Sequence, residues 1–234
     1  MMDDAATATL LQDGELEVLG RMPWSSNATY LSEVRCGDDV MRAIYKPRRG
    51  ERPLWDFPSG LDHREVAAYE LSRALGWDLV PRTILRDGPL GPGSVQAFVD
   101  ADFEQHYFTL YQNEAHHDAL RAMCAFDLIG NNTDRKSGHV LLSLDGGIIG
   151  IDHGVMFHQE FKLRTVIWEF GGEPVPPHLL AAADALASTS LPEPLAALLD
   201  VFERDAVRTR ARALVDAGCF PIDETGRRYP WPLV

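Results

Sequence analysis

Four charged residues stand where a predicted strand, helix or turn begins or ends: Lys46 in "VMRAIYKP", Glu65 in "LDHREVAAYELSRALG", Asp134 in "IGNNTDRKSGH" and Asp152 in "IIGIDHG". Singly, each fits an ordinary role, such as a solvated lysine, a capping-box glutamate or a turn aspartate. In this order they match the needs of phosphoryl transfer from a nucleotide. That chemistry uses a lysine on the phosphates, a carboxylate that holds it, a carboxylate that orients the acceptor hydroxyl and a metal ligand.

The polar stretch after Gly130 carries the most specific spacing. Lys136 and His139 follow Asp134 by two and five residues. In a kinase catalytic loop a metal-binding Asn stands five residues after the catalytic Asp, and a Lys at the second position can contact the transferred phosphate. His139 therefore allows three interpretations: it binds metal in place of Asn, it orients Asp134 or a water molecule, or it marks impaired metal binding. A neutral imidazole suits Mn²⁺, whereas Mg²⁺ prefers oxygen ligands.

Two further stretches are candidates for nucleotide contact. The turn between the first two predicted strands contains three small polar residues, Ser25, Ser26 and Asn27. Their hydroxyl and backbone N–H groups either bind phosphate oxygens or form a plain turn. In "SVQAFVD" the backbone from Gln96 to Val99 is the natural hinge between two lobes, with Phe98 or Val99 beside an adenine ring. An ordinary buried strand would have the same pattern.

These residues need a strand-rich first part and a helical second part to bring them together. A helix is predicted from Asp62, with Glu65 in capping-box position, to Gly76, and the segments before it predict an antiparallel meander: "GELEVLGRM", "ATYLSEVRC" and "VMRAIYKP". Two more strands precede a change of composition near residues 100–104. We predict an α+β fold in three parts: a flexible N-terminus (1–12), an N-lobe with a nucleotide-binding sheet and one helix (13–102), and a helical C-lobe with the catalytic loop and a metal-binding hairpin (103–234).

Five segments resemble one known group of proteins: "YKP", "REVAAYELSRALGWDLVPRT", "VQAFV", "LIGNNTDRKSGH" and "GIDHGVMFH". They are similar to the atypical kinases related to phosphatidylinositol 3-/4-kinases and the HipA kinases, above all to a bacterial family within that group. The resemblance covers about residues 14–175. It implies a two-lobed protein-kinase-like fold of the phosphatidylinositol 3-/4-kinase type that uses ATP with Mg²⁺ or Mn²⁺. It also implies that Lys46 is the nucleotide lysine, Glu65 its ion-pair partner, Asp134 the catalytic aspartate and Asp152 the metal-binding aspartate.

The resemblance implies a hydroxyl-bearing acceptor, either a protein Ser or Thr or a small polyol of the inositol type. The segment "KLRTVIWEFGGEPVP" stands where an activation segment would lie beside the acceptor, so Lys162 and Arg164 would face an anionic substrate. The chain departs from the kinase pattern because it has no GxGxxG and carries His139 in place of Asn. Two alternatives therefore stay open. One is a nucleotide-binding pseudokinase that acts as a sensor or scaffold, and the other is an AMP transferase on the same fold.

Composition argues against two classes of partner. With 22 Lys and Arg against 35 Asp and Glu, the formal charge is −13, which disfavours sequence-independent binding of nucleic acid. No apolar run approaches the ~18–20 residues that span a bilayer, so we expect no stable membrane insertion. The N-terminus lacks the pattern of a signal peptide.

Cys36, Cys124 and Cys219 are far apart, and we predict buried free thiols in a reducing cytoplasm.

Overall fold

A five-stranded antiparallel sheet dominates the first part of the computed structural model, which describes residues 4–23, 25 and 27–233. Its strands are β1 (Glu15–Arg21), β2 (Tyr30–Cys36), β3 (Asp39–Pro47), β4 (Thr83–Gly88) and β5 (Gly91–Ala97). The order across the sheet is β1-β2-β3-β5-β4. The predicted meander of the first three strands is confirmed, because β2 pairs with both β1 and β3 in antiparallel register.

The alternation of side chains between the two faces of β3 determines the direction in which Lys46 points. Ala43 and Tyr45 are buried and pack against Val34 and Val95 in the apolar cluster of the sheet. Successive side chains of a strand point to opposite faces. The Lys46 side chain therefore points away from the apolar face, and its ammonium group lies on the other side of the sheet.

The N-terminal segment contradicts one expectation. Residues 4–13 form helix α1 (Asp4–Asp13), so the predicted flexibility is wrong for that range. Leu10 and Leu11 are 2% and 0% exposed and join the cluster of the sheet with Leu16. Full burial of a leucine side chain stabilises by about 1.5–3 kcal/mol, which offsets the cost of ordering a helix of mostly small residues.

Helix α2 (Leu61–Leu75) packs on both the sheet and the later helices. It begins after Gly60, whose φ of 92° lies in the left-handed region that favours glycine. The predicted capping box is wrong, because Asp62 is already the second residue of the helix. The Glu51 side chain instead accepts the N–H groups of Gly60 and Asp62 at 3.2 and 2.9 Å. The Glu65 side chain therefore takes no part in capping the helix.

The second part of the chain combines helices with a small antiparallel sheet. The elements are α3 (Tyr107–Leu110), α4 (His117–Gly130), α5 (Pro177–Ser188), α6 (Glu193–Ala196), α7 (Val201–Ala217), β6 (Ala101–Asp102), β7 (Val140–Ser143) and β8 (Ile148–Gly150). The larger apolar core lies here, where Met123 and Phe126 of α4 pack with Leu71 of α2. The predicted hairpin is confirmed as β7 and β8. Asp152 follows β8 by two residues, at the edge of this core.

Two further expectations concern bilayers and cysteines. Throughout residues 4–23, 25 and 27–233, no helix is long and apolar enough to cross a membrane. All three cysteines are free thiols, but only Cys124 is buried. The expectation of burial is wrong for Cys36 and Cys219, because one ends strand β2 and the other follows the end of α7, outside both apolar clusters.

Candidate active site

Lys46 lies at the centre of a charged cluster between the first sheet and the helical part. Its Nζ donates to Glu65 Oε1 and, at 2.8 Å, to Asp152 Oδ1. These carboxylates come from α2 and from the turn after β8, so one ammonium group joins three elements that are distant in sequence. Burial disfavours the charged lysine, but Asp152 and Glu65 outweigh this effect and raise the pKa of Lys46. Lys46 is therefore held as a cation.

The two carboxylates that bind Lys46 differ in their surroundings. The Glu65 side chain is 4% exposed, and its Oε2 accepts the N–H of His153 at 3.0 Å. Burial raises the pKa of Glu65, although the Lys46 charge opposes it. The Asp152 side chain is 53% exposed, and the Lys46 charge holds its pKa far below the usual range. Glu65 is thus a buried brace for the lysine, and Asp152 is an ionised carboxylate that faces the cleft.

Asp134 lines the same cavity as Lys46 and Asp152. Its Oδ2 lies 3.3 Å from Lys136 Nζ, and its backbone N–H donates to Asn132 Oδ1 at 3.0 Å. Burial raises the pKa of Asp134, although Lys136 opposes the shift. A carboxylate in this state is a stronger base than a solvated aspartate, which suits a group that accepts a proton from a bound hydroxyl.

His139 faces Asp152 across a gap that suits a cation. Its Nε2 lies 3.5 Å from Asp152 Oδ2, while its Nδ1 lies 3.1 Å from the carbonyl oxygen of Asp134 and 3.5 Å from the backbone nitrogen of Lys136. Burial lowers the pKa of His139 to about 4, so the ring is neutral at pH 7. The shorter contact assigns the Nδ1 proton to the Asp134 carbonyl, which leaves the Nε2 lone pair on the side of the carboxylate. Two acceptors placed in this way fit two ligands of one metal ion.

The cleft offers two candidate metal ligands, and nucleotide phosphates would have to supply others. Across the described part of the chain, no group of three or more His, Cys, Asp or Glu side chains is placed to hold a metal ion. Mg²⁺ is commonly held by one or two carboxylates together with substrate phosphates and water, and His139 with Asp152 fits such a site. Asp152 also adopts a φ of 61°. That conformation costs of order 1–3 kcal/mol for a residue other than glycine and is frequent at functional sites.

The turn between β1 and β2 reaches the same cavity. Ser25 and Asn27 both line it, while Ser26 lies outside the described residues. The Ser25 hydroxyl donates to Thr29 Oγ1 at 2.8 Å, and Asn27 Oδ1 accepts the N–H of Arg52 at 2.9 Å. The position agrees with a phosphate-binding turn, and contact with phosphate stays a prediction.

The predicted hinge residues do not line this cavity. The Gln96 side chain donates to Thr83 Oγ1 at 2.9 Å within the sheet. The Phe98 ring lies 4.4 Å from the Arg42 guanidinium carbon. The backbone N–H and carbonyl of Val99 have no hydrogen-bond partner within residues 4–23, 25 and 27–233. Val99 therefore keeps a donor and an acceptor of the kind that bind an adenine edge, and adenine binding here stays a prediction.

Comparison with known proteins places this chain in a family. No family model matches the sequence. Protein Rv2133c of Mycobacterium tuberculosis is 42% identical, and the match covers 95% of this chain and 94% of that protein. The chain belongs to the Rv2133c family.

The fold of this Rv2133c relative is also found in a kinase. The crystal structure of CtkA, a proinflammatory kinase of Helicobacter pylori, superposes with a TM-score of 0.52 and covers 90% of this chain and 94% of its own. The two sequences are 9% identical, so the likeness concerns the fold. The chain thus has a kinase-like mixed α/β fold, with a sheet-rich first part and helices later. Its assignment to the phosphatidylinositol 3-/4-kinase or HipA type stays a prediction.

Sequence patterns do not predict the ion pair that lies beneath the polar loop. The side chains of Arg135 and Asp127 are both 0% exposed, with Arg135 Nη2 2.8 Å from Asp127 Oδ1. Arg135 Nη1 also donates to the carbonyls of His139 and Ile151 at 3.2 and 3.1 Å, and Asp127 accepts from Asn132 Nδ2 at 3.0 Å. The pair joins α4, the polar loop and the end of β8. One signal was present, since Asp127 is a lone carboxylate in the apolar run "AMCAFDLIG".

Proposed function

We propose that this protein is a phosphotransferase that uses ATP with Mg²⁺ or Mn²⁺ to phosphorylate a hydroxyl group of an acceptor. The observation that carries the proposal is the position of Lys46, whose Nζ bonds both Glu65 and Asp152 in a cavity that Asp134 also lines. Together they provide the lysine, its brace, a metal carboxylate and a base, which are the groups that phosphoryl transfer uses. The kinase-like fold supports the same assignment.

Each polar side chain of the site has one task in the proposed reaction. Lys46 binds the nucleotide phosphates, and Glu65 holds Lys46 in place. Asp152 and His139 would hold the metal ion, which would offset the negative charge of the phosphates. Lys136 stabilises the charge that develops on the transferred group.

The remaining nucleotide contacts are proposed from the sequence pattern, with Ser25 and Asn27 also lining the cavity. The turn Ser25, Ser26 and Asn27 would donate to phosphate oxygens, as backbone and hydroxyl groups of such turns do. The segment from Gln96 to Val99, including Phe98, would contact adenine, with the unpaired backbone groups of Val99 as the main contact.

The proposed transfer forms one bond to phosphorus, breaks another and moves one proton. The acceptor oxygen forms a bond to the γ-phosphorus while the bond from that phosphorus to the β,γ-bridging oxygen breaks, and ADP leaves. The hydroxyl proton passes to the carboxylate of Asp134. Because burial raises the pKa of Asp134, the carboxylate accepts this proton more readily than a solvated aspartate would.

Nucleotide binding and turnover test the proposal. We expect the melting temperature to rise with ATP plus Mg²⁺ or Mn²⁺. The variant Asp134→Asn should keep this rise and lose about 100-fold or more of ADP release, as expected for loss of a general base. Asp216→Asn, which changes an exposed aspartate of α7, is the matched control and should behave like the parent. Equal ADP release by Asp134→Asn and the parent would refute the proposal.

His139 favours a second candidate, a pseudokinase that binds nucleotide as a sensor or scaffold. Mg²⁺ prefers oxygen ligands, and His139 places a nitrogen where kinases have an amide oxygen. Binding of ATP without ADP release, with either metal, would support this candidate over the first. The intact mass of any modified acceptor separates phosphate transfer from AMP transfer, because the two added groups differ in mass.

A further inference from the structure

A second cavity, of about 370 Å³, lies beside the first and shares Asp134 with it. Three basic residues line it: Arg52, Lys162 and Arg164. Pockets for small molecules have volumes of about 300–1,000 Å³, so this one has room for a compact ligand. Because Asp134 lines both cavities, an acceptor bound in the second would lie next to the proposed base.

Two carboxylates, Asp56 and Asp134, also line this cavity, but the three cations form no hydrogen bond or ion pair with them. Neither the Arg52 nor the Arg164 guanidinium forms a hydrogen bond or ion pair with any described residue, and both side chains are exposed. Lys162 Nζ donates at 2.6 Å to a neutral group, the carbonyl of Asp56. Arg164 nevertheless lies close enough to lower the pKa of Asp134, against the stronger effect of burial. In a chain with a net charge of −13, these three cations form a local site for an anion.

Backbone hydrogen bonds fix the two arginines relative to the proposed catalytic groups. The N–H of Arg164 donates to the Asn132 carbonyl at 2.9 Å, and the Arg164 carbonyl accepts the N–H of Arg135 at 3.0 Å. The N–H of Arg52 donates to Asn27 Oδ1 at 2.9 Å. One arginine is therefore tied to the polar loop of Asp134, and the other to the turn proposed to bind nucleotide phosphate. Such fixed positions are expected of groups that orient a substrate.

We infer that Arg52, Lys162 and Arg164 bind a phosphate group of the acceptor, so that the acceptor is a hydroxyl compound that already carries a phosphate. This inference rests on the proposed function, because it names the substrate of the same site. Guanidinium groups bind phosphate through paired hydrogen bonds. An acceptor held in this way presents its hydroxyl to Asp134, and the reaction that supplies it must be an earlier phosphorylation or the release of a phosphorylated headgroup.

The phosphate has two candidate sources, a soluble phosphorylated polyol and the headgroup of a lipid. Leu54 lines the cavity and is 41% exposed, and the adjacent Trp55 is 96% exposed. Exposed apolar side chains beside cations are typical of surfaces that contact lipid. The experiment therefore contains a soluble arm and a vesicle arm.

Phosphate binding at the two arginines is measured first, by NMR of the arginine Nε–Hε signals during titration with inorganic phosphate. We expect saturable shifts for Arg52 and Arg164. The matched control is Arg35, an exposed arginine of β2 that pairs with Glu33, and its signal should stay in place. Shifts of Arg52 and Arg164 no larger than that of Arg35 would overturn the inference.

Matched acceptors are compared next, by ADP release with Mn²⁺ and ATP. The soluble pairs are glycerol with glycerol 3-phosphate and ribitol with ribitol 5-phosphate, and the vesicle pair is phosphatidylglycerol with phosphatidylcholine. We expect stimulation by phosphate-bearing hydroxyl compounds alone. The variant Arg52→Gln/Arg164→Gln should raise the KM for such an acceptor at least about tenfold, as expected for loss of charged hydrogen bonds, and leave the KM for ATP unchanged. Arg35→Gln should change neither.

The outcomes separate the inference from the proposed function. Stimulation by the soluble phosphates or by phosphatidylglycerol vesicles supports the inference and identifies the source. Equal stimulation by the neutral polyols, or an unchanged acceptor KM in the double variant, overturns it. Absence of ADP release with every acceptor counts against the proposed function, and the NMR titration then still decides whether the cavity binds phosphate.

Discussion

Replacing Arg135 by methionine is expected to destabilise the protein strongly. Arg135 pairs with Asp127 where both side chains are 0% exposed, and it also donates to the carbonyls of His139 and Ile151. Methionine is of similar length but has neither a charge nor a donor. The substitution therefore leaves the buried Asp127 side chain with only neutral donors, and two carbonyls without the arginine.

Two effects determine how far the free energy of unfolding falls in Arg135→Met. Removal of one partner from a buried ion pair costs about 3–5 kcal/mol. Each of the two carbonyls loses a hydrogen bond, at about 1 kcal/mol apiece. The free energy of unfolding should fall by about 5–7 kcal/mol, which is a large share of the about 5–15 kcal/mol of a typical domain.

Urea unfolding, followed by circular dichroism and tryptophan fluorescence, measures this loss. The matched control is Asp127→Asn/Arg135→Met, which removes both charges and keeps an acceptor for Asn132. We expect the double variant to regain about 3 kcal/mol over Arg135→Met, because no buried charge is left unpaired. A loss below about 1 kcal/mol for Arg135→Met would refute the reasoning, and so would a double variant no more stable than the single one.

Changing His139 to Asn should move the metal preference of ATP binding from Mn²⁺ toward Mg²⁺; the ratio of the ATP Kd values with the two metals checks this, and an unchanged ratio excludes Nε2 as a ligand. Because burial raises the pKa of Asp134, its protonation should begin to reduce kcat at a higher pH than the ordinary aspartate value of about 4. A pH–rate profile with its acid limb at or below that value contradicts the assignment. Leu11→Ala should lower the free energy of unfolding by about 2–4 kcal/mol, since Leu11 is 0% exposed. Urea unfolding should show a much smaller effect for Leu19→Ala, at a position 50% exposed.

Local pattern was sufficient to predict the elements that carry most of the site. Lys46 was predicted at a strand end because Pro47 stops the strand, and β3 ends at Pro47. The helix that carries Glu65 is predicted, but α2 begins at Leu61, so Glu65 is its fifth residue and lies in the second turn instead of the first. Strand alternation, helix spacing and turn residues belong to short segments, so a single sequence contains them. No local pattern encodes a contact between Lys46 and Asp152. The expectation that the charged groups face one cavity came from the resemblance.

The features that escaped prediction all depend on partners outside the short segment that carries the pattern. Helix α1 is held by two leucines under the sheet, although its composition suggests a frayed end. The N-terminus of α2 is capped by Glu51, whereas the local pattern favoured Asp62. Arg135 looks like part of a solvated polar loop, yet Asp127 and two carbonyls hold it in the core. In each case a tertiary contact determines the local structure, and the local sequence pattern alone does not.

The two oxygens of Asp152 face different groups, one a lysine and the other the proposed metal site. Oδ1 bonds Lys46 at 2.8 Å, and Oδ2 faces His139 Nε2 at 3.5 Å. The Lys46 charge keeps Asp152 ionised by lowering its pKa, which favours a metal ligand, but the same charge repels a metal ion beside it. Nucleotide phosphates remove this conflict, because their negative charge attracts both cations. We therefore expect metal to bind this site much more tightly with ATP than alone, since the protein offers two ligands and a neighbouring cation. Calorimetric titration of Mn²⁺ with and without a non-hydrolysable ATP analogue measures the difference, and equal affinities would refute the role of the phosphates.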